Sequence, residues 1–492
     1  VSDKIEAPSV TAVAAGLVVT GNAAKKELTV AEGGHYDIVV LGGGSGGYAC
    51  ALRAAELGKR VALIEKDKVG GTCLHRGCIP TKALLHAAEV ADSARESEKF
   101  GIKATLDGIE MPAVLSYQQG VVDRLWKGLQ STIASRKIDT IIGSGRLISP
   151  TSVQVDGDAV YSGDHIVLAT GSVPKSLPGL EIDHERVITS DEALTLDRVP
   201  ASAIILGGGV IGVEFASVWR SFGADVTIVE MLPQLLPLED EVSSKTLQRL
   251  FRRRGITAEL GARFESVRHA GDGVEVTLAG GKTLSAEVLL VAVGRGPVSA
   301  DLGYEENGVR MTRGYVDVDP LCQTSVPTIS AVGDLIATPQ LAHVGFAEGI
   351  MVAERVGGLD VRPIDYDGVP RITYSEPEVA SVGITTKQAA DRGIEVTYVD
   401  YPLGGNGRSV ILGTQGSARV IAEKTPSGAG RVLGIHLVGS RVGELIAEGQ
   451  LIYNWDAEPI DVASLIHPHP TQSEILGEAH LALAGKPLHF HA

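Results

Sequence analysis

Residues 35–66 read HYDIVVLGGGSGGYACALRAAELGKRVALIEK. An apolar run, a cluster of glycines, apolar positions at helical spacing and a second apolar run ending at Glu65 follow one another. The pattern predicts a buried strand, a tight turn, an amphipathic helix and a second strand, which is one βαβ unit. Gly42, Gly44 and Gly47 fall where the strand passes into the helix. Glycines there let the chain turn sharply, approach a pyrophosphate and pack the helix onto the sheet. The helix N-terminus offers the anion unpaired N–H groups and a positive dipole end. Glu65 lies 23 residues after Gly42, where a carboxylate can accept hydrogen bonds from a ribose.

A lone G-x-G-x-x-G match says little in a chain with 60 glycines. Residues 202–231, SAIILGGGVIGVEFASVWRSFGADVTIVEM, repeat the match with Gly207, Gly209, Gly212 and Glu230, again at a spacing of 23. The chain therefore carries two related nucleotide-binding modules, a repeat at domain scale. A carboxylate at the second strand end suits a free 2′-hydroxyl and repels a 2′-phosphate. Glu230 thus favours NAD over NADP, given that the second module holds the nicotinamide cofactor.

At 492 residues the chain exceeds one hydrophobic core, and three or four domains are expected. Ala87 to Arg136 is rich in helix formers, while IDTIIGSGRL, SVQVD and HIVLATG read as short strands completing the first module. SLPGLEID and Pro200 read as a linker, and Gly271 to Arg295 alternates like strands. From about Gly368 a mixed pattern with helices around Gly443 and Glu474 indicates a final α+β domain.

Hydrophobic residues at 44% and charged residues at 21% describe an ordinary globular chain. A net charge of -16 argues against nucleic-acid and anionic-membrane partners, which want clustered Lys and Arg. No run reaches the roughly 18 apolar residues of a membrane span. Four cysteines are too few for a secreted disulfide framework, so a reducing, cytoplasmic compartment is expected. TAVAAGLVV near the start has the look of a short signal core, but Asp3 and Glu6 stand where positive charge belongs. Residues 1–33 are expected to be a flexible tail.

Two of the four cysteines, Cys73 and Cys78, lie in GGTCLHRGCIPTK, residues 70–82. A regular helix would hold residues five apart at about 8.7 Å, beyond the ~7 Å reach of a disulfide. They can bond only in a distorted segment, which Gly77 and Pro80 permit, and strain would leave the bond easily reduced. A zinc clamp needs about four ligands, and only His75 and His86 lie near in sequence. A static clip across so short a loop would stabilise little. A redox couple is the favoured reading, with no metal. Lys82, four residues after Cys78, could face the same partner and favour a thiolate. Near the other end, IHPHPTQSE offers His467, His469 and Glu474 as a proton-transfer group with a carboxylate to orient it. Pro468 and Pro470 stiffen the backbone around His469. His489 and His491 read as tail residues, and Cys50 and Cys322 as small buried groups.

The ordered set GGGSGG, GGTCLHRGCIPTK, LATGS, LGGGVIGVE, AVGR, SAVGD and HPHPTQSE resembles the flavin-dependent pyridine nucleotide-disulfide oxidoreductases, from about Tyr36 to Leu488. Within that family the likeness is greatest to the bacterial dihydrolipoyl dehydrogenases of 2-oxo acid dehydrogenase complexes. The resemblance implies an α/β chain with two Rossmann-like domains of the three-layer ββα type and a C-terminal α+β dimerisation domain. The expected division is a tail (1–33), an FAD-binding domain (34–174), an NAD-binding domain (175–299), a central region completing the FAD site (300–367) and an interface domain (368–492).

It further implies FAD at Gly42, Gly44, Gly47, Glu65, Thr72, Gly145, Thr170, Gly171, Ser172 and Asp334, with Leu341, Ala342 and His343 in the flavin-contacting segment. Lys82 would sit by the flavin and pair with Glu214. NAD would take Gly207, Gly209, Gly212, Glu230 and Gly294. By the same resemblance, Cys73 would be the thiol that exchanges with substrate and Cys78 the flavin-side thiol. His469 and Glu474 would come from the partner in a homodimer, and the family pattern points to a cis His469–Pro470 bond. Lipoyl domains of acyltransferase components would be the partners. The chain departs from the pattern at Ser330, where an aromatic residue is common, at Ser375 and Glu376, and in its N-terminal tail. The rival expectations are an NADPH-dependent reductase of a small disulfide, which should prefer basic residues where this chain reads IVEML, and a diaphorase or quinone reductase, which would not need the cysteines. A scaffold with secondary redox activity is disfavoured by the intact cysteines and dyad. A mercuric or large thioredoxin reductase would need a C-terminal cysteine pair where this chain ends KPLHFHA.

Overall fold

The computed structural model describes residues 33–489. The tail expectation, apart from Gly33, and His491 lie outside the described residues.

The opening motif folds as its periodicity predicts: strand His35–Leu41, helix Ser45–Glu56 and strand Val61–Glu65, the strands parallel with Leu41 opposite Ile64. In sheet order, Asp139–Ile142, Val61–Glu65, His35–Leu41 and Ala159–Leu168 lie side by side, and Ser152–Val155 and Gly145–Ser149 extend the sheet antiparallel. Ile38, Val39, Val40, Leu63, Ile64, Ile166 and Leu168 are fully buried. Strands covered on both faces read as continuous apolar runs, and each such side chain contributes about 1.5–3 kcal/mol by burial.

Strand Ile329–Ala331 joins this sheet beside Ala159–Leu168, so the first module closes with residues far along the chain. The following helix, Ala342–Val356, packs on helix Ser45–Glu56. The approach is close enough that a Cβ on Gly349 would stand 2.2 Å from the Gly46 carbonyl oxygen. Ser330 is fully buried in this sheet, where its hydroxyl accepts from the Arg355 guanidinium at 2.5 Å and bonds His165 at 2.8 Å. An aromatic residue here would displace that polar network.

The second motif gives strand Ser202–Leu206, helix Val210–Phe222 and strand Asp225–Glu230 within a parallel sheet ordered Ile256–Leu260, Asp225–Glu230, Ser202–Leu206, Val288–Val291, Val187–Ile188. A three-stranded antiparallel layer, Phe264–Ala270, Gly273–Leu278 and Thr283–Ala286, accompanies it. The modules are joined by a two-stranded ribbon in which Arg295–Pro297 runs antiparallel to Ser172–Pro174. Beyond Gly368 a five-stranded antiparallel sheet carries helices Val442–Asn454 and Glu474–Leu483. No helix among the described residues is long and apolar enough to cross a membrane.

Candidate active site

The cysteine segment starts with a turn that only glycine tolerates: Gly71 has φ +58°, and a Cβ there would lie 2.6 Å from Gly44 Cα. A short helix, Gly71–Arg76, carries Cys73 and stops at Gly77, whose φ of -151° and ψ of -107° are not helical. A new helix, Cys78–Arg95, begins at once. The backbone therefore breaks between the two cysteines, as the reach of a disulfide demands. Both are thiols here, half-buried and joined by a side-chain hydrogen bond.

The two sulfurs are unequal. The hydrogen bond from Cys73, opposed by burial and helped by the Lys82 charge, lowers the Cys78 pKa to about 7. The same bond, with burial and the negative charge on Cys78, pushes Cys73 up. Lys82 reaches this point by the helical spacing read from the sequence, and Nζ donates to both Glu214 carboxylate oxygens at 2.9 Å. Burial acts to lower the Lys82 pKa, but Glu214 overrides it and the net shift is upward, so the ammonium stays charged. Tyr374 completes the group: its N–H donates to Glu214 at 3.0 Å and its ring centroid is 4.7 Å from Lys82 Nζ. Sequence reading missed Tyr374, since no spacing ties residue 374 to residue 82.

The glycine motifs form two cradles. Gly42 has φ +108°, and Cβ atoms at Gly42 and Gly47 would meet the Ala169 and Gly42 carbonyl oxygens at 2.2 and 1.8 Å. Gly44 caps its helix without a side-chain hydrogen bond. Glu65 accepts from Gly43 N at 2.7 Å and Asp67 N at 3.0 Å. Gly145 lies against the same strand ends, and a Cβ there would stand 2.5 Å from Leu41 Cδ1. Thr170 donates to the Val298 carbonyl at 2.6 Å, Gly171 has φ +72°, and Ser172 Oγ donates to Asp334 at 2.5 Å. Leu341 caps helix Ala342–Val356, at whose start His343 Nε2 bonds the Pro370 carbonyl at 2.8 Å.

In the second cradle, Cβ atoms at Gly207 and Gly212 would meet the Ala292 and Gly207 carbonyl oxygens at 2.3 and 2.0 Å, while Gly209 and Gly294 face open space. Glu230 accepts from Gly208 N and Leu232 N, both at 2.7 Å. An uncapped helix end, a backbone where side chains do not fit and an oriented carboxylate are the donor and acceptor set of a dinucleotide. Both cradles therefore fit the cofactors that the motifs imply.

His469 and Glu474 pair within one chain. His469 Nδ1 and Glu474 Oε1 are 2.8 Å apart, and Thr471 N donates to the other oxygen at 2.9 Å. Burial works against the Glu474 charge, but the Thr471 N–H and His469 hold its pKa below the usual carboxylate range. The His469–Pro470 bond is cis. His469 is 78% exposed, and among the described residues nothing within one chain links it to the cysteines. His467 separates from it: 12% exposed, it bonds Glu448 at 2.8 Å, and a Cβ on Gly477 would stand 2.6 Å from its Nδ1. His489, read as a tail residue, is tied to Glu478 at 2.8 Å, because the chain folds back on the last helix. Cys50 and Cys322 are buried, and burial pushes the Cys50 thiol up to about 12. Arg295, at the end of AVGR, is a second residue that sequence reading missed, since no spacing ties it to Thr72, which it bonds at 3.4 Å.

The family described as pyridine nucleotide-disulphide oxidoreductase matches residues 36–349, and its dimerisation domain matches residues 369–480. The chain belongs to this family. A dihydrolipoyl dehydrogenase of Bacillus subtilis (strain 168) is 40% identical over 474 residues, spanning 93% of this chain and 99% of that protein. The mitochondrial dihydrolipoyl dehydrogenase of Pisum sativum is 37% identical over 466 residues, 92% of each chain. Among solved structures, LpdA of Mycobacterium tuberculosis superposes with a TM-score of 0.85 at 27% identity, over 91% of this chain and 99% of that one. This family member is an NAD-dependent flavoprotein disulfide oxidoreductase, with FAD and NAD as cofactors and a dimerisation domain that supports a homodimer.

Proposed function

We propose that the chain is a dihydrolipoyl dehydrogenase: it oxidises dihydrolipoamide to lipoamide through Cys73 and Cys78 and reduces NAD to NADH. The observation that carries this reading is geometric: the helix breaks at Gly77 so that the Cys73 and Cys78 thiols hydrogen-bond each other, with the Lys82–Glu214 ion pair on the helix that Cys78 opens. In this reading the enzyme works in the cytoplasm and serves lipoyl domains of 2-oxo acid dehydrogenase complexes.

The first cradle, Gly42, Gly44, Gly47 and Glu65, holds the adenosine diphosphate of FAD. Thr72, Lys82, Gly145, Thr170 to Ser172, Asp334 and Leu341 to His343 follow the rest. The second, Gly207 to Gly212 with Glu214, Glu230 and Gly294, holds NAD. When bound, FAD supplies the two-electron acceptor for the cysteine dithiol and NAD the final hydride acceptor.

The work of the chain is proton and sulfur handling. The partner subunit's His469 removes a proton from one dihydrolipoamide thiol, with Glu474 holding its Nδ1. The substrate thiolate attacks Cys73 of the Cys73–Cys78 disulfide, forming a mixed disulfide and releasing Cys78 as a thiolate. A pKa of about 7 makes Cys78 a good leaving group. The second substrate thiol, deprotonated in turn, displaces Cys73 and closes lipoamide, so the substrate dithiol is oxidised and the cysteine pair reduced. Lys82 faces the thiolate that results, with Glu214 keeping Lys82 in place.

Cys73→Ser in the FAD-loaded homodimer tests the reading. Lipoamide turnover should fall by roughly a thousandfold or more while NADH-driven reduction of an artificial acceptor persists. Unchanged lipoamide turnover would overturn it. An NADPH-dependent disulfide reductase is disfavoured by the Glu230 carboxylate, which two backbone N–H groups fix where a 2′-phosphate would lie.

A further inference from the structure

We propose that Arg295 is a positioning residue of the redox centre, tying the segment that carries Cys73 to the Ser172–Asp334 pair and to the ribbon between the two modules. The proposal rests on the reading of Cys73 and Cys78 as the redox pair.

Arg295 follows Gly294 and opens strand Arg295–Pro297, which pairs with Ser172–Pro174. Its backbone thus belongs to the ribbon, while its side chain reaches into the first module. Nε donates to Ser172 Oγ at 2.8 Å, and Nη2 donates to the Ser172 carbonyl at 2.7 Å and to Thr72 Oγ1 at 3.4 Å. Ser172 Oγ donates onward to Asp334 at 2.5 Å. Thr72 immediately precedes Cys73 on the short helix Gly71–Arg76. One planar fork therefore bonds two segments that are remote in sequence, the cysteine helix and the strand after LATG, and Ser172 Oγ carries the network on to the turn at Asp334. A lysine, a point charge on a flexible stem, cannot reproduce this arrangement.

A stabilising surface ion pair would put the guanidinium on a carboxylate. Among the described residues Arg295 makes none, and its donors go to a hydroxyl, a carbonyl and a second hydroxyl. Burial lowers its pKa, against the attraction of Asp334, Asp191 and Cys78. The groups that face Cys78 are Cys73 from the short helix, Lys82 from its own helix, Glu214 from the second glycine helix, Tyr48 from the first and Arg295 from the ribbon, with Asp334 facing Cys73. Arg295 and Lys82 are the cations among them, and only Arg295 also bonds the side chain of Thr72, the residue before Cys73.

The test compares Arg295→Met and Arg295→Lys in the FAD-loaded homodimer. The readouts are lipoamide kcat, the KM for NAD, flavin content and the ultraviolet thiolate absorbance of the two-electron-reduced protein against pH. Arg295→Met should lower kcat by about 10- to 100-fold with less than about a threefold change in KM for NAD, at full flavin content. It should also move the thiolate titration up by about half a pKa unit. Arg295→Lys should restore the titration and recover only part of kcat, because the charge returns without the fork. The proposal is overturned if Arg295→Met titrates as the wild type, if its loss of kcat follows loss of flavin, or if only the KM for NAD rises. If Cys73→Ser kept lipoamide turnover, the underlying reading would fail on its own, whatever the Arg295 variants did.

Discussion

The two glycine modules share a backbone and differ in what closes over them. Gly42 and Gly207 have φ of +108° and +113°, and Glu65 and Glu230 each accept from the N–H of the middle glycine at 2.7 Å. Over the first module, the cysteine segment meets Gly44 at backbone distance and helix Ala342–Val356 meets Gly46. Over the second, Gly209 and Gly294 have no atom within 4 Å of a built Cβ, and Met231 and Leu232 beside Glu230 are exposed. The same local grammar thus makes an enclosed cradle and an open one. The first suits a dinucleotide that stays and the second one that exchanges.

The hardest way to break that comparison is to spoil each cradle identically. Gly47→Ala and Gly212→Ala each drive a Cβ to within 2.0 Å of a backbone carbonyl oxygen that cannot move aside cheaply. Each should destabilise its module by about 2–4 kcal/mol. Gly47→Ala should lose bound flavin, whereas Gly212→Ala should keep flavin and lose NAD-dependent turnover. Flavin absorbance per chain and NADH titration read the difference, and equal flavin loss in both would abolish the distinction.

A smaller effect belongs to the carboxylates. Glu230→Ala should lower kcat/KM for NAD by about tenfold and relax discrimination against NADP. Glu65→Ala should leave coenzyme preference untouched, and steady-state kinetics with both coenzymes would settle this. The smallest effect concerns the pair that bridges the modules. In the reduced protein the Cys78 thiolate should appear as pH rises through about 7. Below that pH the thiol holds its proton and the Lys82 charge has no thiolate to stabilise. Lys82→Met should move the titration upward by about one unit, measurable as ultraviolet thiolate absorbance. An unmoved midpoint would remove Lys82 from the tuning of Cys78.

Much of this site is legible in the sequence. The break between Cys73 and Cys78 followed from helix geometry and Gly77, and the acid that ends the second strand of each βαβ unit followed from its spacing. The His469–Glu474 pairing is local, five residues apart, and so within reach of a sequence argument. Tyr374 and Arg295 were out of reach for the same reason as each other. Tyr374 meets Glu214 across 160 residues, and Arg295 meets Thr72 across 223. The two histidines of HPHP looked equivalent in sequence, and their separation into a buried Glu448 partner and an exposed dyad member depends on packing against Gly477.

By itself the sequence determined two βαβ nucleotide modules, a reducible cysteine pair and a histidine–carboxylate couple, because periodicity, glycine turns and short spacings act within windows of a few tens of residues. Only the tertiary structure decided that strand Ile329–Ala331 returns to the first sheet, that Glu214 crosses 132 residues to hold Lys82, and that Arg295 joins the ribbon to the cysteine helix. Those contacts arise where separate sheets and helices pack, and no local pattern encodes which distant side chain will fill the gap.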